Sequence, residues 1–317
     1  MEQILELIKT SNTIAIGGHV RPDGDCVGSC VALYQYIRKV YEKKDVHVYL
    51  ETFSDSFAFL KGAEEIEHDA EREKVFDLFI SLDCGASERL GFSEHSFQKA
   101  KKTINIDHHI SNENFGMINH VGAEASSTCE VLFDLMEADR IDKEIAEALY
   151  LGIVHDTGVF KHSNTSRKTM KIVGILLEKG ISSSKIIDES FYQKTYMQNQ
   201  VLGRCLLESI MVLDGKCIVS CINQKIMNFY NASPKDLDGV IDQLRVTKGV
   251  EVAVFLYELE NRIYKVSMRS NNDVDVSRIA QFFGGGGHVK AAGCTMNGSY
   301  YDVINNLTEH IENQLKQ

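Results

Sequence analysis

The first half of this chain alternates short apolar runs with longer segments of helical periodicity. The apolar runs are TIAIGGH (13–19), VHVYLE (46–51), FDLFISLD (76–83) and KTINIDHH (102–109). Several of them are apolar enough to be buried on both faces of a sheet. Helical segments such as VGSCVALYQYIRKVYEKK (27–44) and STCEVLFDLME (127–137) separate or follow them. Because parallel strands need a crossover connection, which is usually a helix, this alternation predicts βαβ units and a parallel sheet.

The length of the chain, 317 residues, favours two domains. A stretch from 182 to 209 looks helical and contributes no strand, whereas MVLDGKCIVSCI (211–222) and VEVAVFLYELENRIYKVSMRS (250–270) read as paired strands. The predicted class is α/β. A parallel-sheet N-terminal domain (1–190) is joined by a helical linker (191–209) to a smaller α/β domain (210–317).

The cysteines, the lengths of the apolar runs and the N-terminal segment indicate the cellular compartment of the protein. None of the eight cysteines forms a CxxC pair, so reduced, buried thiols are expected. No run of about 18 apolar residues is present, so no membrane span is expected. The amphipathic N-terminus MEQILELIKTSN does not resemble a signal peptide. These features predict a cytoplasmic protein.

The overall charge limits the class of partner. The formal net charge is −11, and the chain contains no Lys/Arg block. A protein that tracks long DNA or RNA needs a basic stripe, because phosphate neutralisation dominates that affinity. An anionic substrate would therefore be held by local positive partners, namely bound metals and a few side chains.

Acidic and histidine clusters follow three of the apolar runs, and a fourth ends a predicted helix. Ligands of open α/β sheets bind at the carboxyl ends of the strands, so these clusters are expected to converge there. A single aspartate after a strand is most often a turn or a helix cap. Several carboxylates at one edge repel each other unless cations neutralise them, and carboxylates with imidazoles suit Mn²⁺ or Mg²⁺. The clusters are His19/Asp23/Asp25, Asp83, Asp107-His108-His109 and Asp156.

Four short motifs in this order, HVRPDGD, SLD, DHH and HDTG, resemble those of the DHH phosphoesterase superfamily. The segment GGGGHVKAAG (284–293), together with VSMRS around Arg269, resembles the associated DHHA1 domain. Length and domain pairing are most similar to the nanoRNases, which are bifunctional oligoribonucleases and 3′-phosphoadenosine 5′-phosphate phosphatases. The resemblance spans essentially the whole chain.

The resemblance implies a two-metal site with two Mn²⁺, and Mg²⁺ or Co²⁺ as alternatives. One metal would be bound by His19, Asp23 and Asp83. The other would be bound by a second set in which Asp83 is shared: Asp25, Asp83, His108 and Asp156. Besides the bridging Asp83, the implied catalytic residues are His109, facing the scissile phosphate, and Asp107, orienting the neighbouring imidazoles.

Two further segments are candidates for substrate binding. His162, Ser163 and Asn164 would contact a phosphate or sugar, or else they begin a helix capped by Asn164 or Thr165, and both interpretations stay open. In the second domain, the family resemblance implies that a glycine loop and nearby side chains bind the nucleotide. These residues are Arg269, Gly285, Gly286, Gly287 and His288.

The expected activity is metal-dependent hydrolysis of short oligoribonucleotides (nanoRNA and dinucleotides) to mononucleotides, removal of the 3′-phosphate of 3′-phosphoadenosine 5′-phosphate, or both. The first alternative is a cyclic- or linear-dinucleotide phosphodiesterase. A manganese inorganic pyrophosphatase is less favoured, because the glycine loop and Arg269 do not suit pyrophosphate. A nucleotide-binding regulator without turnover is disfavoured by the complete ligand set. The preferred substrate, the direction of cleavage, the native metal and a homodimer are left open.

Overall fold

The computed structural model describes residues 2–69 and 74–316, and the chain divides into two compact units, Met1–Gln193 and Lys194–Gln317. Each unit contains a six-stranded sheet of its own. The α/β class predicted from the sequence is confirmed. In the described part of the chain, no helix is both long and apolar enough to cross a membrane.

The first unit is a doubly covered parallel sheet. Its strands lie in the order β3-β2-β1-β4-β5-β6, and every neighbouring pair is parallel. Single 3₁₀ turns cover Asp55–Phe57 and Ala63–Glu65, Ser87–Ser93 is a 3₁₀ stretch kinked at Gly91, and a π-helical turn covers Asp188–Tyr192. The elements are α1 (Glu2–Thr10), β1 (Thr13–Gly17), α2 (Gly24–Val40), β2 (Asp45–Tyr49), β3 (Ile66–Glu67), β4 (Leu78–Leu82), α3 (Glu94–Lys99), β5 (Thr103–Asp107), β6 (Ile118–Val121), α4 (Thr128–Leu135), α5 (Lys143–Asp156), α6 (Arg167–Glu178) and α7 (Ser183–Ile187).

The central strands of this sheet are buried on both faces, as their composition predicts. Along β4, Leu78, Ile80 and Leu82 lie in the main core with α2 and α5, whereas Phe79 packs into a smaller aromatic cluster on the other face with Phe97. Alternate side chains of a strand point to opposite faces, so a strand covered on both sides is apolar at most of its positions.

The second unit contains a mixed sheet in the order β11-β12-β10-β9-β8-β7. Strands β8 and β9 are parallel, and the other neighbouring pairs are antiparallel. A 3₁₀ turn covers Pro234–Leu237. The elements are α8 (Tyr196–Leu207), β7 (Ile210–Val212), β8 (Cys217–Ile222), α9 (Gln224–Tyr230), α10 (Val240–Arg245), β9 (Val252–Glu260), β10 (Ile263–Ser270), α11 (Val276–Phe282), β11 (Gly286–His288), β12 (Ala291–Asn297) and α12 (Tyr300–Leu315).

Helix α8 lies in the segment predicted to be a linker. Its Val201 and Cys205 are buried with Ile218 and Ile222 of β8 in a core cluster of the second unit. The domain bounds 1–190, 191–209 and 210–317 stay predictions. All eight cysteines carry free thiols, and all but the half-buried Cys221 are buried.

Part of the glycine run forms a strand rather than the expected loop. Gly286–His288 is the edge strand β11, which pairs antiparallel with β12. The physical reason is the close approach of the two backbones. A Cβ at Gly287 would lie 2.5 Å from the carbonyl oxygen of Ala291, and a Cβ at Gly285 would overlap the carbonyl oxygen of Gly293. These two glycines allow the edge strand to reach its neighbour.

Candidate metal centre

The clusters singled out in the sequence come together because β1, β4 and β5 are consecutive neighbours in the sheet. Each of these parallel strands ends at the same edge of the sheet and is followed there by one cluster. The fourth member, Asp156, is the last residue of α5. The predicted convergence at the carboxyl ends of the strands is therefore present in the structure.

Asp23 has two roles in the loop after β1. Its Oδ1 accepts hydrogen bonds from the amides of Asp25 and Cys26, both at 3.1 Å, and so caps α2. Its Oδ2 lies 3.7 Å from Nε2 of His19. The helix-cap interpretation and the metal-ligand interpretation are thus compatible, since each uses a different oxygen.

Asp83 occupies the middle of the cluster, with a side chain only 3% exposed. Its φ of +55° is in the left-handed region, which a non-glycine residue adopts at a cost of about 1 kcal/mol or more. The Oδ2 atom lies 3.4 Å from Nε2 of His19, and Oδ1 lies 3.7 Å from Nε2 of His108. The two oxygens of one carboxylate therefore face two different imidazoles.

His108 faces the carboxylates on the other side of Asp83. Its Nε2 lies 3.0 Å from Asp156 Oδ2 and 4.0 Å from Asp25 Oδ2. Asp25 is completely buried. Two carboxylates, one of them fully buried, within ion-pair distance of a single imidazole are costly without compensating positive charge.

Burial and the neighbouring charges shift the pKa values of the groups in this cluster. Burial raises the pKa of Asp25 well above its usual value, and the charges of Asp83 and Asp156 raise it further. Burial disfavours the protonated form of His108, but the ion pairs with Asp156 and Asp25 outweigh it and raise the pKa of His108 to about 10. Burial is outweighed in the same way at His19, whose pKa is raised by Asp23 and Asp83.

The raised pKa values of His19 and His108 thus reflect the positive charge that these carboxylates favour. Divalent cations would supply the same charge. His19, Cys26 and Asp83 form one group of donor atoms within 4.8 Å of one another, and Asp25, His108 and Asp156 form another. The donors, mostly carboxylate oxygens and imidazole nitrogens, fit hard to intermediate divalent ions.

Hydrogen bonds orient two of the histidines. The Nδ1–H of His19 donates to the carbonyl of Val20 at 2.9 Å, which leaves the lone pair of Nε2 facing the carboxylates. Nδ1 of His109 bonds Asp107 Oδ1 at 2.7 Å. That bond raises the pKa of His109 despite its partial burial.

Asp107 is buried and forms hydrogen bonds with several of its neighbours. Its Oδ1 also accepts the amide of His108 at 2.8 Å, and its Oδ2 accepts the side-chain amide of Asn112. Burial disfavours the charged form, but these bonds and the His109 ion pair lower the pKa of Asp107. Asp107 thus contacts the ring of one neighbouring histidine, and its orienting role stays a prediction. The side chain of His109 is 45% exposed.

The N-terminus of α4 holds Asp25 and was not anticipated from the sequence. The amides of Thr128 and Cys129 donate to the two oxygens of Asp25 at 2.6 and 3.0 Å, and Thr128 Oγ1 donates to Asp83 Oδ1 at 3.0 Å. These donors stabilise negative charge, as helix N-termini do. The Ser127-x-x-Glu130 pattern indicates a helix start, which is the one local signal that could have drawn attention to it.

His155 also supports the loop between β1 and α2, although it contributes no metal-donor atom to the cluster of carboxylates and imidazoles. Its ring packs directly on Gly24, where a Cβ would overlap the imidazole, and Nε2 hydrogen-bonds Ser190 Oγ at 3.1 Å. Burial lowers the pKa of His155 to about 4, so a neutral ring fills this space.

In the segment after α5, Asn164 is tied to the site. The Asn164 side-chain amide donates to the carbonyls of Ser126 and Asp156 at 3.0 and 3.1 Å. His162 packs on Gly158, and Ser163 is exposed. The expected cap at Asn164 or Thr165 is wrong, because Ser166 caps α6 in a reciprocal pair of bonds with Thr169.

The candidate substrate residues of the second unit lie on its mixed sheet. Arg269 of β10 pairs with Asp242 of α10 at 3.7 Å and has a 31% exposed side chain. His288 of β11 is exposed. Among the three glycines, a Cβ at Gly286 would meet no atom within 4 Å, so its backbone is open.

Comparisons with known proteins agree with this description. Residues 13–153 match the DHH family, N-terminal domain, and residues 214–317 match the DHHA1 domain. The chain is similar to proteins named bifunctional oligoribonuclease and PAP phosphatase NrnA. It is 25% identical to that of Bacillus subtilis (93% of this chain, 92% of the relative) and 29% identical to that of Thermus thermophilus (94% and 89%). A crystal structure of an exopolyphosphatase-related protein from Bacteroides fragilis superposes with a TM-score of 0.89 and 26% identity, covering 98% of this chain and 95% of that one.

Proposed function

We propose that this chain, which carries a DHH N-terminal domain and a DHHA1 domain, is a metal-dependent phosphoesterase acting on short oligoribonucleotides and on 3′-phosphoadenosine 5′-phosphate. It hydrolyses the former to mononucleotides and removes the 3′-phosphate of the latter. The observation that carries the proposal is the placement of Asp83, whose two oxygens face His19 and His108 at 3.4 and 3.7 Å. Both activities are named for relatives that match this chain over most of its length.

In this proposal, the candidate centre holds two divalent ions, with Mn²⁺ preferred and Mg²⁺ or Co²⁺ as alternatives. When bound, such ions lower the pKa of water and neutralise charge on a phosphoryl group. Asp83 is shared between the two sets of ligands. The sets are His19, Asp23 and Asp83 for one ion, and Asp25, Asp83, His108 and Asp156 for the other.

His109 transfers a proton at its Nε2, next to the phosphoryl oxygens of the substrate. Its Nδ1–H is held by Asp107 at 2.7 Å, which fixes the ring and favours its protonated form. The arrangement of a carboxylate and an imidazole with a second ring nitrogen is the one used for general acid–base work. Asp107 acts through His109 and does not itself contact substrate.

Arg269, His288 and the open backbone of Gly286 bind the nucleotide in the proposal. Guanidinium groups suit bidentate phosphate contact, and the ion pair with Asp242 at 3.7 Å is long enough to leave Arg269 donors available. The net charge of −11 supplies no basic track for a long strand. His162, Ser163 and Asn164 stay in the proposal as neighbours of the site. A cytoplasmic location completes it, since eight free thiols suit a reducing compartment.

The test is a substrate panel with the full chain. The protein is stripped with a chelator, dialysed and assayed with Mn²⁺, Mg²⁺, Co²⁺ or Ca²⁺ on 3′-phosphoadenosine 5′-phosphate and on RNAs of 2 to 24 nucleotides. We expect activity to disappear on chelation and to return best with Mn²⁺. We also expect rates to fall steeply beyond about five nucleotides, because no further phosphates are bound.

The panel also includes cyclic dinucleotides and pyrophosphate. Faster turnover of a cyclic dinucleotide than of any linear RNA would favour the phosphodiesterase alternative. Equal rates on 24-mers and dimers would refute the preference for short substrates. Full activity after exhaustive chelation would refute the metal-dependent mechanism.

A further inference from the structure

Helices α11 and α12 pack on one face of the second sheet at strands β10 and β12, whereas on the opposite face α10 packs over β9 and contacts β10, where Asp242 lies beside Arg269. Along β10, Tyr264, Val266 and Met268 are buried in a core cluster with residues of α11 and α12. Side chains alternate along a strand, so the residues between them point to the opposite face. We call this opposite face of β10 and β12 the open face. Its residues are Lys265, Ser267 and Arg269 of β10 and Ala291, Gly293 and Thr295 of β12.

The strand register arranges this face in rows. Arg269 lies beside Ala291, which in turn lies beside His288 of β11. In the next row Ser267 lies beside Gly293, and Gly293 lies beside Gly286. The third row places Lys265 beside Thr295. The two ends of the open face therefore carry cations, and the row between them carries small residues and open backbone.

Lys265 has no acidic partner within the described residues. Its neighbours across the strands are Tyr257 of β9 and Thr295, both bearing hydroxyl groups. The nearby Glu258 alternates with Tyr257 and so points to the other face. Lys265 is thus a half-buried residue without an ion-pair partner among the described residues, and its strand neighbours on both sides carry hydroxyl groups that suit an anion. Arg269, by contrast, has Asp242 within 3.7 Å.

We infer that Lys265, with the hydroxyl groups of Thr295 and Tyr257, forms a second phosphate-binding subsite on the open face. The inference rests on the proposed function, in which Arg269 binds one phosphate of the substrate. Four residues of β-strand separate the Cα atoms of Lys265 and Arg269 by about 13 Å. That span exceeds one phosphodiester linkage, so the two cations serve different phosphates. Lys265 binds the additional phosphate of a third nucleotide, and the small residues of the middle row let the chain lie flat on the sheet.

The experiment compares Lys265→Met with Lys265→Arg and with a control, Lys216→Met. Methionine keeps most of the apolar stem while removing the charge. Lys216 is an exposed lysine in the turn before β8, near the opposite edge of the same sheet, so its variant matches the change in net charge. The measured quantities are kcat/KM for 3′-phosphoadenosine 5′-phosphate, for a dinucleotide and for the initial disappearance of an intact trinucleotide, each from low to high salt.

For Lys265→Met, we expect kcat/KM for the trinucleotide to fall about tenfold, the size of one lost charge-assisted contact. The values for the dinucleotide and the bisphosphate should stay within about twofold of wild type. The slope of log kcat/KM against log salt for the trinucleotide should become shallower by about 0.7, since one phosphate contact is lost. Lys265→Arg should preserve most of the trinucleotide activity, and Lys216→Met should change nothing.

Equal losses on the dinucleotide and the trinucleotide, or an unchanged salt slope, would overturn the subsite. So would wild-type behaviour of Lys265→Met on all three substrates. If the wild-type protein itself cleaves none of them, the proposed function fails instead, so the two failures are distinguishable.

Discussion

The candidate metal centre and the open face of the second sheet handle charge in opposite ways. At the metal centre, carboxylates and imidazoles are buried within 3.0–4.0 Å of one another, and Asp83 is held at a φ of +55°. On the open face, Lys265 and Arg269 are spread along one strand and are half-buried. Cleavage of a bond requires charged side chains that the fold fixes in place although they repel each other. Binding of a flexible oligonucleotide requires only accessible charges at a suitable spacing. Variants in the first region should therefore affect kcat strongly, and variants in the second should mostly affect KM.

The largest effect is expected for Asp83→Asn. Asparagine tolerates the left-handed backbone and can still accept from Thr128, but it cannot bridge two cations. We expect turnover of a dinucleotide to fall at least about a thousandfold, or about 4 kcal/mol in the barrier. Thermal unfolding of the metal-free protein should occur at the same or a higher temperature, because one buried negative charge is removed.

The matched control for this variant is Asp77→Asn at the opposite end of the same strand. Asp77 directly precedes β4 and Asp83 directly follows it. Asp77→Asn should retain wild-type kcat. Turnover above about a tenth of wild type in Asp83→Asn would remove Asp83 from the centre.

A smaller loss is expected for His109→Gln. Removing a positioned proton-transfer group costs about 10²–10⁴-fold in kcat, while the metal ligands remain. Metal affinity, measured by calorimetry with Mn²⁺, should be unchanged. Asp107→Asn should reproduce part of the loss, because Asp107 acts only through the ring that it orients. If His109→Gln instead lost metal binding, His109 would be a ligand rather than a proton-transfer group.

On the second sheet, Arg269→Ala should raise KM and lower kcat/KM for a dinucleotide by about 10- to 100-fold. Mn²⁺ affinity should not change, since no metal ligand is touched. His288→Ala should act in the same direction with a smaller magnitude, because an imidazole lacks the bidentate donor geometry that a guanidinium offers to phosphate. Arg269→Ala kinetics indistinguishable from wild type on every substrate would remove the open face from substrate binding.

The smallest effect concerns stability and pH. The ion pair with Lys101 and the amides of Thr13 and Asn12 lower the pKa of Asp77 from 3.8 to about 2. A depressed folded-state pKa contributes stability that is present above about pH 4 and is lost as the pH falls towards 2. The melting temperature of wild type should exceed that of Asp77→Asn by a few degrees at pH 6, and the gap should close by about pH 2. A gap independent of pH would show that the charge is not the cause.

The parallel sheet and the convergence of the four motifs were predictable because each depends on local pattern. Strands apolar on both faces, separated by amphipathic helices, have few alternatives to a parallel sheet. The two hairpins that turn residues indicated in the second unit, at Asp214-Gly215 and near Glu260-Asn261, are both present. The short strands β3 and β6 were missed, since two to four residues carry too little periodicity to be recognised.

The amino-acid sequence alone was enough to indicate which side chains would gather, because carboxyl ends of parallel strands meet at one edge whatever the loops between them. Only the tertiary structure decided how those side chains are held. The amide of Thr128 bonds Asp25 across 103 residues of chain, and the glycine run becomes an edge strand because β12 lies against it. Such contacts depend on packing between distant elements, and a local pattern carries no information about which distant backbone will be its neighbour.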